Sequence, residues 1–154
     1  MNLNNRKAFL DMIAFSEIGA KLLSNSDNGY NVIVGGGLFH DYSDHPRKLV
    51  TMIINGKDVK STAAGRYQIL AKYYDYYKKM LNLPDFGKNS QDAIAMQLIR
   101  ECGAVGDVDN GDIRTAISKC RSRWASLPGA GYNQHENNVD YLMLAYKGAG
   151  GTFA

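Results

Sequence analysis

Apolar residues recur at helical spacing near the start of the chain. They are Ala8, Phe9, Met12, Ile13 and Phe15. This periodicity predicts a helix, with Asn4 or Asn5 as its N-terminal cap. The helix should extend to about Ser16 and fray near Gly19, which places Glu17 at its C-terminal end.

The next part of the chain alternates between turn-forming and β-prone residues. Residues 24–29 have the composition of a loop, and residues 30–34 then predict a short strand that three glycines end. Residues 49–54 form a second β-prone run, and the Asn55-Gly56 pair that follows suits a tight hairpin turn. We therefore expect a small antiparallel sheet between about residues 30 and 62.

The rest of the chain is predicted to be helical. We expect four helices separated by glycine, proline and polar residues. Their expected ranges are 67–81, with an end near Pro84; 91–102, capped by Ser90 and closed by Gly103; 112–124, begun by Asp109 or Asn110; and 134–147, ended by Gly148. A helix, a small sheet and a run of helices form an α+β pattern, with a ligand expected in a cleft between the two parts.

Length and charge narrow the classes of function. A chain of 154 residues is expected to form one domain, residues 1–154, with one core. Its net charge of +3 is spread along the sequence, whereas a nucleic-acid-binding protein of this size usually carries a dense basic stripe. No apolar run is long enough to cross a bilayer, and the N-terminal residues lack the apolar segment of a signal peptide. We therefore expect neither nucleic-acid binding nor stable membrane association.

Glu17 is the residue with the clearest chemical potential. It is one of three glutamates, and its neighbours Phe15 and Ile18 are apolar. A carboxyl group held against apolar side chains has its charged form disfavoured, so its pKa rises and it can hold a proton near neutral pH. Such a group can act as a general acid. On spacing alone, the alternative is that Glu17 faces water on the polar side of an amphipathic helix.

Other acidic and metal-binding residue types offer further candidates. Asp27 is the next acid after Glu17, and it is either the second carboxylate that glycosidases usually employ or a turn residue. His40 and His45 flank two aspartates, but a zinc site needs three or four convergent ligands. A polar turn before Pro46 is the favoured interpretation, and we expect no metal and no cofactor.

Cysteine and tyrosine residues are interpreted mainly as structural. Cys102 and Cys120 are expected to be reduced thiols, with a disulfide as the alternative. Five tyrosines crowd residues 67–77, and those at positions 67, 74 and 77 fall near one helical face, which predicts packing against a core. Only Tyr67, at the predicted start of the helix, is also expected to contact a ligand.

Four blocks of sequence are more specific than any periodicity. They are residues 8–17 (AFLDMIAFSE), 41–50 (DYSDHPRKLV), 61–68 (STAAGRYQ) and 125–132 (ASLPGAGY). In this order they resemble the lambda-type bacteriophage endolysins over nearly the whole chain. The extreme N-terminus, the loop near residues 24–28, the hairpin at residues 52–59 and the tail after Gly151 depart from that pattern.

The resemblance implies a lysozyme-like α+β fold, mainly helical, with a small antiparallel sheet flanking the cleft. It also implies a lytic transglycosylase that cleaves the β-1,4 bond between N-acetylmuramic acid and N-acetylglucosamine of peptidoglycan. In that family the glutamate matching Glu17 is the single catalytic acid. The muramic C6 hydroxyl is the internal nucleophile and leaves a 1,6-anhydro ring, which reduces the need for a second carboxylate.

Two alternatives to this activity stay open. Phage lysozymes of the hydrolytic type carry an aspartate and a threonine after the glutamate, at positions that here hold Ser26 and Val32. Asp27 misses the aspartate position by one, so a hydrolytic N-acetylmuramidase that uses Glu17 and Asp27 is the first alternative. A non-catalytic peptidoglycan-binding module is the second.

The matched blocks also imply residues that bind substrate. They are Ser61, Thr62, Tyr67, Gln68, Tyr132 and Gln134. Residues 61–68 resemble a turn and helix start beside the catalytic acid, and residues 131–134 resemble the lower lip of the family's cleft. The hairpin around Asn55-Gly56 resembles the upper lip, but it departs in sequence and length, so it implies no individual contact.

Partners and location follow from the same resemblance. The expected partner is the glycan strand of peptidoglycan, and the protein is expected to be a monomer. It is expected to accumulate in the host cytoplasm and to act on the cell wall in the periplasm once a separate holin releases it. The absence of a predicted signal segment fits this route.

Overall fold

The computed structural model describes residues 1–131 and 136–154. In these ranges the elements are, in chain order, α1 (Leu3–Ile18), α2 (Ala20–Ser24), β1 (Val50–Ile54), β2 (Lys57–Ser61), α3 (Ala71–Met80), α4 (Lys88–Glu101), α5 (Val105–Asn110), α6 (Ile113–Cys120) and α7 (Val139–Gly148). The predicted class, mainly helical with a small antiparallel sheet, is confirmed. Within the described ranges, no helix has the length and apolar character needed to cross a membrane.

The chain divides into two compact units. The first unit comprises Met1–Glu17 and Ala95–Ala154, and the second comprises Ile18–Ile94. The prediction of a single domain over residues 1–154 stays a prediction.

Helix α1 is the central helix of the first unit. Its side chains from Ala8 to Ala14 are buried at every position except Asp11, so the helix is enclosed on most sides. The cap is Asn2, whose side-chain oxygen accepts the Asn5 backbone N–H at 3.0 Å. The prediction of Asn4 or Asn5 as the cap is therefore wrong. Asn5 is buried within the helix instead, where its amide donates to the Val108 carbonyl at 3.1 Å.

The hairpin of the second unit forms where its turn residues predicted it. Strands β1 and β2 pair in antiparallel register up to Ile54 and Lys57, and Asn55 and Gly56 between them both have positive φ, 51° and 75°. These are the left-handed conformations that a two-residue hairpin turn requires. The prediction that residues 30–34 form a strand of this sheet is wrong, because they make only isolated bridges before Gly35 turns the chain.

Helices α3 and α4 have starts that differ from the prediction. Helix α3 begins at Ala71 rather than at residue 67, because Gln68 adopts a left-handed φ of 52° and the Thr62 hydroxyl accepts the Ala71 N–H at 3.0 Å. Helix α4 begins at Lys88, so Ser90 lies inside the helix rather than capping it. Its end at Glu101 is followed by left-handed Gly103, as predicted.

Short helices account for the other differences. Residues 20–24, next to the predicted loop, form α2, and the predicted helix 112–124 is replaced by α5 and the shorter α6. Asp109 and Asn110 end α5 instead of beginning the next helix, and left-handed Gly111 is the C-cap of α5. Helix α7 begins at Val139, where the Asn138 side chain accepts the Asp140 N–H at 2.7 Å. The predicted start at residue 134 lies outside the described residues.

Aromatic residues form the core of the second unit. Tyr74 and Tyr77 are buried, which confirms the predicted packing of these two residues, while Tyr73 and Tyr76 are exposed. His45 is buried beside them: its Nε2 donates to the Ile69 carbonyl at 2.8 Å and its Nδ1 accepts the Arg47 N–H at 2.9 Å. Since backbone groups occupy both ring nitrogens, the geometry fits the predicted polar turn.

The two cysteines lie in contact within the first unit. Both are free thiols, and the Cys120 thiol is hydrogen-bonded to Cys102. Burial raises the pKa of Cys120. The buried thiol is therefore protonated at neutral pH and behaves as a small apolar side chain.

An ion pair joins the two sequence segments of the first unit. The Arg6 guanidinium donates to both Asp109 carboxylate oxygens at 2.8 Å, and the Asn2 backbone N–H donates to the same carboxylate at 3.0 Å. The side chains of Arg6 and Asp109 are only 18% and 19% exposed. These donors lower the pKa of Asp109 to about 2.

We expect Asp109→Asn to lower the free energy of unfolding by about 1–3 kcal/mol, because a partly buried charge-assisted pair is lost. The matched control is Asp140→Asn, which removes a pair with Arg114 whose side chains are 62% and 75% exposed. Its expected cost is about 0.5 kcal/mol or less. The measurement is chemical denaturation at pH 7. Because the folded pKa of Asp109 is lowered, its contribution is present above about pH 4 and should disappear as the pH falls through 2. Equal costs for the two variants would contradict this ranking.

Candidate active site

Glu17 lies in the last turn of α1, in the first unit. Its side chain keeps some exposed surface, but protein atoms surround the carboxyl group closely. This burial raises the pKa of Glu17 to about 8, and a hydrogen bond with Ser126 lowers it by a smaller amount. The shift has the direction and the cause that the apolar neighbours of Glu17 predicted.

Ser126 connects Glu17 to two further polar side chains. The Ser126 and Ser16 hydroxyl oxygens lie 2.7 Å apart. The side-chain amide of Asn137 donates to the Ser16 hydroxyl at 3.1 Å and to the Ser16 carbonyl at 3.0 Å. Both serines are buried, with 8% and 9% of their surface exposed. Ser16, Ser126 and Asn137 are called the hydroxyl network below.

The loop that carries Ser126 is closed by hydrogen bonds across its ends. The Asn137 backbone N–H donates to the Ser126 carbonyl at 2.8 Å. The Glu136 carboxylate accepts the backbone N–H groups of Gly129 and Gly131 at 2.9 and 3.0 Å, which lowers its pKa. These bonds hold Ser126 and Asn137 in fixed positions beside α1. Tyr132 and Gln134, both predicted to bind substrate, lie outside the described residues.

The other predicted binding residues share one bend in the second unit. Ser61, Thr62 and Gln68 are partly exposed. The Ser61 hydroxyl accepts the Ala63 N–H at 3.1 Å, and the Gln68 amide donates to the Gly65 carbonyl at 2.8 Å. Gln68 holds a left-handed φ of 52°, a conformation that is strained for a residue with a side chain and is often found at functional sites.

Tyr67 supports this bend from inside. It is 1% exposed, and its hydroxyl donates to Asp92 at 2.6 Å while accepting from Arg66 at 3.0 Å. A ring buried to this extent has no face free to stack on a sugar, so the prediction that Tyr67 contacts a ligand directly does not fit its position. The bend is also held by Gln91, whose side-chain oxygen accepts the Arg66 backbone N–H at 2.9 Å.

Asp27, the candidate second carboxylate, is already engaged within the second unit. Its two oxygens accept from the Tyr42 hydroxyl at 2.6 Å and from the Lys88 ammonium at 2.9 Å. Both donors stabilise the charged form, and the pKa of Asp27 is lowered. Asp27 is thus an ionised carboxylate at neutral pH, held by a tyrosine and a lysine.

Most of the polar groups that support the site were not predicted from the sequence. Ser16 and Ser126 lie inside the matched blocks 8–17 and 125–132, and those blocks are the only sequence feature that could have indicated a role for them. Asn137 and Gln91 lie outside all four blocks and carry no signal that one sequence reveals. In the described part of the chain, no three His, Cys, Asp or Glu side chains converge as metal ligands would.

The chemistry available at Glu17 is therefore proton transfer. A carboxyl group with a pKa near 8 is mostly protonated at pH 7, and once ionised it is a stronger base than an ordinary carboxylate. The same group can give up a proton in one step and recover one in the next.

Comparison with known proteins matches the chain to phage lysis enzymes. The family model described as Endolysin matches residues 7–153. The chain is 57% identical to the endolysin of Escherichia phage lambda over 150 residues, covering 97% of this chain and 93% of that protein. It is 48% identical to the endolysin of Escherichia phage P2 over 154 residues, covering 96% of this chain and 93% of that protein.

Solved structures agree with this match. The structure of bacteriophage lambda lysozyme in complex with a chitohexasaccharide superposes with a TM-score of 0.93 at 55% identity, covering 100% of this chain and 99% of that one. A second structure, of lysozyme from bacteriophage lambda, superposes with a TM-score of 0.86 at 52% identity, again covering 100% and 99% of the two chains. The predicted lysozyme-like fold is confirmed, and the chain belongs to the endolysin family.

Proposed function

We propose that this endolysin is a peptidoglycan lytic transglycosylase with Glu17 as its single catalytic carboxyl group. It cleaves the β-1,4 bond between N-acetylmuramic acid and N-acetylglucosamine and leaves a 1,6-anhydro-muramic acid end. Family membership and the complex of a related lysozyme with a chitohexasaccharide support a glycan substrate. The observation that carries the proposal is the raised pKa of Glu17, about 8, which supplies a protonated carboxyl group at neutral pH.

The first step is protonation of the leaving group. Glu17 donates its proton to the glycosidic oxygen, and the bond from that oxygen to C1 of the muramic residue breaks with the electron pair going to the oxygen. Positive charge develops at C1 as Glu17 becomes a carboxylate. Because Glu17 is largely shielded from water, this carboxylate is a strong proton acceptor for the next step.

The second step closes the anhydro ring. The C6 hydroxyl oxygen of the same muramic residue bonds to C1, and its proton moves to Glu17, which returns to its starting state. No water is consumed, and no second carboxylate is required. A nucleophile within the substrate also gains effective molarity because it is already positioned.

The surroundings of Asp27 support a mechanism with one carboxylate. In a hydrolytic mechanism the second carboxylate must act as base or nucleophile. Two hydrogen bonds and a lowered pKa make Asp27 a weak base, and each of its oxygens accepts one of those bonds, from Tyr42 or from Lys88. The hydrolytic alternative that uses Glu17 and Asp27 stays the second candidate, and a non-catalytic peptidoglycan-binding module is the third.

For substrate binding, the proposal keeps five side chains. They are Ser61, Thr62, Gln68, Tyr132 and Gln134, whereas Tyr67 is assigned to supporting the bend that carries Gln68. The proposed partner is a peptidoglycan glycan strand. We further propose a monomer that a separate holin releases from the host cytoplasm and that acts on the wall in the periplasm, without a metal, a cofactor or nucleic acid.

The first test replaces the proposed acid. Glu17→Gln removes the transferable proton while keeping the size of the side chain, and we expect muralytic activity to fall by about 10²–10⁴-fold or more. The measurement is loss of turbidity of permeabilised cells, with circular dichroism to verify folding. The matched control is Glu101→Gln, at an exposed residue that pairs with Arg123, and it should retain activity. Activity in a folded Glu17→Gln protein would refute the assignment.

The second test separates the two catalytic mechanisms. Mass spectrometry of the released muropeptides should show 1,6-anhydro ends, lighter by one water than hydrolysis products. Asp27→Asn should retain activity and yield the same ends. Hydrated products, together with loss of activity in Asp27→Asn, would instead establish the hydrolytic alternative.

The third test measures the pKa of Glu17 through stability. The carboxyl has a pKa of about 8 in the folded protein and an ordinary value of 4.5, so the folded state binds more protons between these values. Stability due to this group is therefore present below about pH 4.5 and is lost as the pH rises through 8. As the pH rises from 4.5 to 8, the melting temperature of Glu17→Gln should increase relative to that of wild type. The melting temperature of Glu101→Gln should not change relative to wild type. If the melting temperatures of Glu17→Gln and wild type differ by the same amount at every pH, the pKa of Glu17 is not raised.

A further inference from the structure

The hydroxyl network gives Glu17 a partner that can both donate and accept. Ser126 is hydrogen-bonded to the Glu17 carboxyl group and lies 2.7 Å from the Ser16 hydroxyl oxygen. The Asn137 side-chain amide donates to the same Ser16 oxygen at 3.1 Å. Hydroxyl groups exchange donor and acceptor roles by rotation, whereas an amide NH₂ group only donates. The Asn137 amide is therefore the fixed end of the chain, and Glu17 is the variable end.

We propose that Ser126, Ser16 and Asn137 are positioning residues that reverse the direction of the hydrogen bond at Glu17 as it gives up and regains its proton. The inference rests on the proposed function, in which Glu17 acts first as acid and then as base.

The network is fully paired when Glu17 is ionised. Asn137 donates to the Ser16 oxygen, Ser16 donates its hydroxyl hydrogen to Ser126, and Ser126 donates to the Glu17 carboxylate. All three donors then point toward the negative charge. This is the state that the first catalytic step produces, and a charge-assisted bond from Ser126 stabilises it.

The same residues are also paired when Glu17 is protonated. Before substrate binds, the Glu17 hydroxyl can donate to the Ser126 oxygen, and Ser126 can turn its own hydrogen to Ser16. The Ser16 oxygen has two lone pairs, so it accepts from Ser126 and from Asn137 together. The hydroxyl hydrogen of Ser16, within helix α1, is then free to bond the carbonyl one turn earlier, a common geometry for serine in a helix.

Because the hydroxyl network is buried, its members must keep hydrogen-bond partners in both protonation states of Glu17. Ser16 and Ser126 are 8% and 9% exposed, so water cannot readily replace a missing partner. Asn137 is tied through its backbone N–H to the Ser126 carbonyl at 2.8 Å and through its side chain to the Ser16 carbonyl at 3.0 Å. Rotating two hydroxyl hydrogens is therefore the smallest change that accommodates both protonation states of Glu17.

The test is Ser126→Ala, followed by kcat, KM and the dependence of kcat on pH. Loss of the Ser126 bond removes a stabiliser of the carboxylate that forms in the transition state, so kcat should fall about tenfold with KM within about twofold. Among the described residues, burial and Ser126 are what shift the pKa of Glu17, and Ser126 lowers it. The basic limb of the kcat profile should therefore move to higher pH, which a merely structural defect would not cause.

Three further variants complete the design. Ser126→Thr keeps the hydroxyl and should restore the limb to its wild-type position. Ser16→Ala removes the donor behind Ser126 but not Ser126 itself, so it should move the limb in the same direction by less, and it tests the network if Ser126→Ala does not fold. Ser90→Ala is the matched control, because Ser90 is a buried serine that donates to a different carboxylate, Asp85, at 3.0 Å. It should leave the limb unchanged.

Wild-type kcat and an unmoved limb in folded Ser126→Ala or Ser16→Ala would overturn the inference. If the basic limb of the kcat profile does not return to its wild-type position in folded Ser126→Thr, that result would also contradict the inference. Glu17→Gln in the same assay distinguishes this failure from failure of the proposed function. An inactive Glu17→Gln beside an unaltered Ser126→Ala leaves Glu17 as the acid and removes only the network, whereas an active Glu17→Gln removes both.

Discussion

The site depends on holding one carboxyl group where water cannot stabilise its charge. Helix α1 meets this constraint by being buried along most of its length, so its last turn holds the Glu17 carboxyl group in a desolvated position. Desolvation outweighs the hydrogen bond from Ser126, so the folded chain keeps a proton on Glu17 at a pH where a free glutamate has lost it.

A related constraint governs the bend of the second unit, where the polar groups must be paired because they are buried. Arg66 is 5% exposed and Gln91 is fully buried, yet each has hydrogen-bond partners. Arg66 bonds the Asn28 carbonyl and the Tyr67 hydroxyl, and Tyr67 in turn bonds Asp92. A side chain added at Gly65 would run into Gln91. The strained backbone of Gln68 persists because this surrounding network over-determines it.

The features that could be predicted from the sequence are those with a local cause. The apolar period located α1, and the Asn55-Gly56 pair located the hairpin, since each signal acts within a few residues. The prediction of a strand at residues 30–34 was wrong because a β-prone segment forms a strand only when another segment pairs with it. Helices α2 and α5 were not predicted because they are too short to show a helical period. The direction of the pKa shift at Glu17 followed from its neighbours. The hydroxyl network did not, because Ser16 is 110 positions from Ser126 and 121 from Asn137.

A comparison of three carboxyl groups explains why it matters that Glu17 has a single neutral donor, the Ser126 hydroxyl. Asp109 has an arginine and a backbone N–H, and its pKa falls to about 2. Asp27 has a tyrosine and a lysine, and its pKa is also lowered. Glu17 has the neutral Ser126 hydroxyl, which opposes desolvation without overcoming it.

A cationic donor in place of Ser126 would stabilise the carboxylate so strongly that no proton remained to donate at neutral pH. With no donor at all, the carboxylate left after bond cleavage would lie unpaired in a desolvated site. A single neutral hydroxyl, able to rotate, is the arrangement that would satisfy both halves of the proposed acid-then-base cycle.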